Sequence, residues 1–170
     1  MHTANRLQGL AALVNTQTRL LVLGSFPGLT SLARQQYYAH PQNGFWPILQ
    51  AIWPLGPHEQ WPDSYEKRIN WMLGKGLGLW DVYASCVREG SLDTAIREPQ
   101  VNDLASLVQR CPELRVIAHN GGESFRHARH SRALGLPVYR LPSTSPANAS
   151  WSFERKLAAW REVMAAADLL

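Results

Sequence analysis

Flat rings and carboxamides crowd a ten-residue stretch, Tyr37-Tyr38-Ala39-His40-Pro41-Gln42-Asn43-Gly44-Phe45-Trp46, with no charge beyond what the His40 imidazole can carry. A ring face stacks on a heterocycle for about 1–3 kcal/mol, and an amide both donates and accepts at that heterocycle's edge. The combination suits a planar ligand the size of a nucleobase. The same residues also have ordinary uses: Asn43 can cap the helix that follows, and Phe45 and Trp46 can be core. Asp81 is the next group with chemistry to offer. It lies near the end of the apolar run Leu77 to Val82, where a carboxylate caps a helix, pairs with an Arg or accepts a ring N–H. Arg88-Glu89-Gly90-Ser91-Leu92-Asp93 follows as a polar turn. Two more polar segments are His119-Asn120-Gly121-Gly122 and Leu141 to Ser150. A helix cap would use one or two residues of the latter.

Several chemistries are excluded. Gly24-Ser25-Phe26-Pro27-Gly28 has no Lys for a triphosphate cradle, and Ser25 precedes Phe and Pro where a nucleophile elbow needs a residue and then Gly. What remains is a tight turn offering backbone N–H groups, or simply a strand terminator. Cys86 and Cys111 are too few for a disulfide scaffold or a four-cysteine cluster, and with His119, His127 and His130 they show no ligand spacing. Neither metal nor cofactor is expected, and a reducing cytoplasm fits. The longest aliphatic stretch, Leu20 to Leu23, is far short of a membrane span.

The elements that position these groups read as alternating strand and helix. Strands are expected at Arg19 to Leu23, Leu77 to Val82, Leu114 to His119 and Val138 to Leu141, each short, apolar and followed by a polar or Gly/Pro-rich loop. Helices are expected over 5–16, 43–53, 64–75, 102–110 and 123–134, with Pro47 blurring the second. A last helix carries Phe153, Leu157, Trp160 and Met164 as one apolar stripe. The pattern predicts an α/β sandwich. In an open parallel sheet the ligand sits beyond the carboxyl ends of the strands, so the loops starting at Gly24, Asp81, Asn120 and Pro142 should meet in one cleft.

At 170 residues, one domain spanning the whole chain is expected, and 18% charged against 45% hydrophobic residues excludes a disordered tail. The net charge of +4 suits a polyanionic partner. No carboxylate precedes Glu59, while Arg6, Arg19 and Arg34 do, and a second basic stretch runs from Arg110 to Arg140. That stretch is equally a solvated helix face.

Taken in order, LVLGSFPG at 21–28, YYAHPQNGFW at 37–46, GLWDV at 78–82, REGSLD at 88–93, NGG at 120–122 and LPSTSPAN at 141–148 resemble the hypoxanthine-DNA glycosylases, or DNA-deoxyinosine glycosylases, a branch of the uracil-DNA glycosylase superfamily. The likeness covers nearly the whole chain. It implies a three-layer α/β/α sandwich with a short, mainly four-stranded parallel sheet, and a monofunctional enzyme that flips a deaminated base out of double-stranded DNA and hydrolyses its glycosidic bond. It implies Asn43 as the catalytic amide, and Phe26, Phe45, Asp81 and Asn120 as base-binding residues. Phe45 would be the ring that stacks on the base. Ser25 would contact DNA, and Ser143, Thr144, Ser145, Pro146, Ala147 and Asn148 would form a loop pressed into the minor groove. A monomer without metal or cofactor is expected. Uracil-removing relatives keep Asp or Asn in the first loop, where this chain has Phe26 and Pro27. They also keep a His before the Pro-Ser of the last loop, where Leu141 stands. The departures point to hypoxanthine over uracil. Rival readings are a mismatch-directed uracil glycosylase, a catalytically silent binder of damaged or single-stranded DNA, and a hydrolase of free nucleosides.

Overall fold

All four expected strands join one parallel sheet. The computed structural model describes residues 5–170. In chain order the elements are β1 (Arg6–Gln8), β2 (Leu20–Gly24), α1 (Leu29–Arg34), α2 (Phe45–Ile52), α3 (Tyr65–Gly74), β3 (Leu77–Asp81), β4 (Tyr83–Val87), β5 (Arg97–Val101), α4 (Leu104–Val108), β6 (Val116–Asn120), α5 (Gly122–Phe125), α6 (Ala128–Arg132), β7 (Val138–Leu141) and α7 (Phe153–Ala166). The parallel sheet has the order β3-β2-β6-β7. Its register pairs Gly24 with Asp81 and Asn120 with Leu141. The four carboxyl ends therefore lie along one edge, which is where an open parallel sheet holds its ligand.

Every residue of β2 is buried because both faces of the sheet are covered. Successive side chains point to opposite faces. Leu20 and Val22 join Phe45, Ile48, Leu49, Met72, Trp160 and Met164 under α2, α3 and α7, while Leu21 and Leu23 join Tyr83, Cys86, Leu107 and Ile117 on the other side. Each fully buried Leu or Ile contributes about 1.5–3 kcal/mol. Two such cores divided by a sheet make the three layers.

The helix expected over 5–16 is not formed. Arg6–Gln8 pairs antiparallel with β4, and Leu13 bridges Leu79 of β3. Gly9 lies tight against its neighbours: a Cβ there would be 3.2 Å from the Ala84 carbonyl oxygen and 3.3 Å from the Phe26 ring. A second sheet, β1-β4-β5, is thus an element that the alternation of strand and helix does not predict. The helix expected over 123–134 divides into α5 and α6, and the one over 102–110 shrinks to α4, capped by the Asp103 carboxylate accepting from the Ser106 N–H at 3.1 Å. Pro47 is harmless as the third residue of α2, where its missing N–H would have had no helical partner. Phe153 falls outside the buried stripe of α7 and is exposed. Among the described residues no helix is long and apolar enough to cross a membrane.

Candidate functional site

A cleft of about 530 Å³ opens at the carboxyl edge of the parallel sheet, lined by residues 24–31, Tyr37, Tyr38, His40, Asn43, Asp81, residues 91–94, Asn120 and residues 143–148. Its size falls in the range of small-molecule sites. The four loops that the strand pattern assigned to a common site do meet there.

Asp81 ends β3 beside Gly24 of β2. The two are so close that a Cβ at position 24 would overlap Asp81 Oδ1, so only glycine leaves room for the carboxyl group. The residue is 6% exposed, and its Oδ2 is buried without a hydrogen-bond partner. Burial, reinforced by the negative charge of Asp93 and opposed by Arg88, pushes its pKa up to about 7. A carboxyl group left this dry and unpaired beside a cleft is suited to bind a polar ligand edge.

Tyr38 stands next to it in a left-handed conformation, φ 54°, that side chains other than those of Gly, Asn and Asp rarely adopt. Such strain concentrates at working sites. The ring stacks on Phe45 with centroids 4.2 Å apart, and its hydroxyl accepts from Asn120 Nδ2 at 3.1 Å. Burial and the nearby Asp81 carboxylate hold its phenol well above the usual value, so it stays neutral.

Two expectations are corrected, for Phe45 and Thr144, and a further one, for Asn120, is narrowed. Phe45 is 0% exposed and packs against Tyr38, Trp46 and Trp160, so it cannot meet a ligand face; Tyr38, stacked on it, lines the cleft in its place. Asn120 lines the cleft but has no amide hydrogen left for a base, only the second lone pair of Oδ1. Its amide donates to Tyr38 Oη and Thr144 Oγ1 and accepts from the Thr144 N–H, all at 3.1 Å, which makes it a brace. Thr144, 1% exposed and bound to that brace, with its carbonyl accepting from the Gly44 N–H at 2.9 Å, ties the last loop to the start of α2 and does not face solvent. Phe26 keeps a place on the cleft wall, but its ring is packed in the second core under the Arg88 guanidinium.

Asn43 both lines the cleft and caps. Its Oδ1 accepts from the Phe45 N–H at 2.9 Å at the first turn of α2. That bond fixes the plane of the amide and leaves Nδ2, together with the second lone pair of Oδ1, for a ligand.

The turn at 88–93 is a strap. Arg88 donates to the Pro27 carbonyl at 2.7 Å, Ser91 Oγ accepts from the Leu29 N–H at 2.9 Å, and Asp93 Oδ1 accepts from Ser25 Oγ at 2.6 Å. Three side chains of one turn thus hold the loop after β2. Ser25 spends its hydroxyl hydrogen on a carboxylate, whose charge repels an anion, so the expected DNA phosphate contact through that hydroxyl is also corrected. Asp93 was not singled out as a site residue, although its place in a polar turn beside a strand end was visible in the sequence. In the last loop Pro146 and Ala147 form the exposed tip, while Ser143, Ser145 and Asn148 are half-buried along the rim. Ser143 Oγ accepts from the Ser145 N–H at 3.1 Å, and Asn148 Nδ2 donates to the Ser143 carbonyl at 3.2 Å.

Comparison with known proteins places this geometry. The family model described as the uracil DNA glycosylase superfamily matches residues 11–164. A protein of Methanosarcina acetivorans named hypoxanthine DNA glycosylase is 35% identical over 149 residues, covering 88% of this chain and 92% of its own. A protein of the same name from Methanosarcina barkeri is 34% identical over 155 residues, covering 91% and 96%. The solution NMR structure of a Methanosarcina acetivorans protein, described as a candidate uracil DNA glycosylase, superposes with a TM-score of 0.78 at 31% identity, covering 94% of this chain and 99% of that one.

Proposed function

The chain belongs to the uracil DNA glycosylase superfamily and is a DNA glycosylase; from that membership we propose that it removes hypoxanthine from deoxyinosine in duplex DNA by monofunctional hydrolysis. The observation that carries the choice of base is the dry, unpartnered carboxyl group of Asp81 beside the cleft. Hypoxanthine presents O6 as an acceptor and N1–H as a donor; adenine presents an amino group and a bare N1. An ionised Asp81 accepts from N1–H and repels the N1 lone pair of adenine. The relatives named hypoxanthine DNA glycosylase support the same choice.

A base in a duplex is out of reach, so the nucleotide must be extruded, at a cost of a few kcal/mol that is least for a mispaired base. Pro146 and Ala147, exposed at the tip of the last loop, would press into the space it leaves, with Ser143, Ser145 and Asn148 beside them. Tyr38 would stack on the extruded purine. Bond cleavage places positive charge on the sugar and negative charge on the base, and the fixed amide of Asn43 would hold the attacking water and those charges in position. Water adds to C1′ as the C1′–N9 pair of electrons leaves with the base. No lysine is found among the described residues lining the cleft, so no Schiff base with the sugar is proposed.

The direct test incubates labelled duplexes carrying deoxyinosine, deoxyuridine or deoxyxanthosine with the protein and then cleaves abasic products with alkali. Strand scission is expected with deoxyinosine above the others and to weaken as salt rises, since basic side chains supply part of the affinity. Scission confined to deoxyuridine would replace this reading with the uracil one, and binding without scission would leave a silent binder. Tyr38→Ala is expected to weaken productive binding of the deoxyinosine duplex about 10-fold or more, the worth of one stacked base. Tyr38→Phe keeps the ring and should lose far less in the same single-turnover titration.

A further inference from the structure

We propose that Asp93 is a catalytic residue of this site, the carboxylate that accepts the proton of the attacking water and faces the cationic sugar; the proposal rests on the glycosylase reading above. The first loop, Gly24-Ser25-Phe26-Pro27-Gly28, carries no acid of its own. Asn43 cannot take a proton at neutral pH. Yet the fold brings a carboxylate to that loop from outside it, because the 88–93 strap sets Asp93 Oδ1 within 2.6 Å of Ser25 Oγ. Both residues line the cleft that also holds Asn43 and Asp81.

The geometry leaves work for this group. Ser25 donates to Oδ1, and among the described residues no side chain forms an ion pair with Asp93. Asp93 is exposed at the cleft wall and its one side-chain hydrogen bond is on Oδ1, which leaves Oδ2 for a water molecule. Loss of hydration raises the pKa of the Asp93 carboxyl from its ordinary value, the Ser25 hydrogen bond opposes that rise, and the charges of Glu123 on α5 and Arg88 on the strap act in opposite directions. A base brought closer to neutrality in this way is a better proton acceptor. Asp81 has a different task because its carboxyl group lies deeper in the cleft, against Gly24 and only 6% exposed.

The balanced step is hydrolysis. The water oxygen bonds to C1′ as the C1′–N9 bond breaks, its electron pair leaves with the purine, and one water proton moves to Asp93. That proton returns to solvent, and the purine anion takes one from solvent, so no oxidant, reductant or further reactant is required.

The experiment compares wild-type protein with Asp93→Asn, Asp93→Ala and Ser25→Ala on a deoxyinosine duplex, measuring single-turnover release, duplex affinity and melting temperature. A positioned general base is worth about 10²- to 10⁴-fold, so Asp93→Asn is expected to lose at least 10²-fold in rate, with affinity equal to or tighter than that of the parent because a negative charge has been removed. Ser25→Ala should lose less, since it only orients the carboxylate. Added formate should partly restore Asp93→Ala, which a bracing role would not allow. An Asp93→Asn rate within threefold of wild type overturns the proposal, as does a folded, DNA-binding Asp93→Ala that formate does not restore. Failure of the wild-type protein itself to release hypoxanthine would instead overturn the substrate reading.

Discussion

Asn43→Ala is expected to lower single-turnover release of hypoxanthine by about 10²- to 10³-fold, the usual loss when one fixed group aimed at developing charge is removed. Part of the effect on the protein will be structural, because Asn43 Oδ1 also accepts from the Phe45 N–H at 2.9 Å. A lost cap costs about 0.5–2 kcal/mol, and for a chain of this size each kcal/mol lowers the melting temperature by about 2–4 °C. Asn43→Ser separates the two roles. A serine hydroxyl can still cap the turn but offers no amide to the cleft, so this variant should melt within a few degrees of the parent and remain slow. Release by Asn43→Ser at the parental rate would remove the amide from the chemistry and leave it a cap.

Asp81→Asn is expected to move activity and stability in opposite directions. Folded Asp81 holds its proton up to about pH 7 because burial disfavours its charge. In the unfolded chain the same group titrates near 3.9. Between those values the folded chain binds the extra proton, so this group's contribution is full below about pH 4 and is lost as pH rises through 7. A shift of three units corresponds to a change on the order of 4 kcal/mol. The neutral amide never carries the charge, so Asp81→Asn should be more stable than the parent at pH 8 and have little advantage at pH 4. Its excision of hypoxanthine should fall about 10- to 150-fold, since a hydrogen bond to a charged group contributes about 1.5–3 kcal/mol. Melting curves at the two pH values, with single-turnover rates on deoxyinosine duplex at pH 8, check both halves. Equal stability at pH 8, or a parental rate, would contradict the role drawn from the unpartnered Oδ2.

The parallel sheet was legible because its inner strands β2 and β6, and nearly all of β3, are short runs buried on both faces, which leaves a sequence signal independent of partners; β7 at the edge, half exposed, was marked instead by its flanking prolines. Arg19 to Leu23 and Val138 to Leu141 needed only a residue or two of adjustment at most. The antiparallel sheet was not legible. Its first strand pairs across a long separation, Leu7 with Cys86, and β5, Arg97–Val101, is exposed throughout, so no hydrophobic pattern marks it. Over 5–16 the pairing of β1 with β4 and of Leu13 with Leu79 outweighs the local preference for helix. Within the site, the strand pattern brought Asp81 to the cleft and the run of rings and amides supplied Asn43, but within that run the choice of ring fell on Phe45 and not on Tyr38. Phe45 is the first residue of α2 and turns into the core, whereas Tyr38 sits in a loop whose positive φ directs it outward. Asn120 and Thr144 illustrate the same limit: a polar residue at a strand end is equally a reader or a brace until its partners are known.

The floor of the cleft comes from the parallel sheet, while part of its rim comes from the connection between β4 and β5 through Arg88, Ser91 and Asp93. Cohesion of the fold and stiffness of the opening are therefore vested in different segments of the chain. Nicking or lengthening the backbone near Glu89 would slacken the entrance and leave both interiors sealed, so a preparation that melts normally can still have lost its grip on an everted nucleotide.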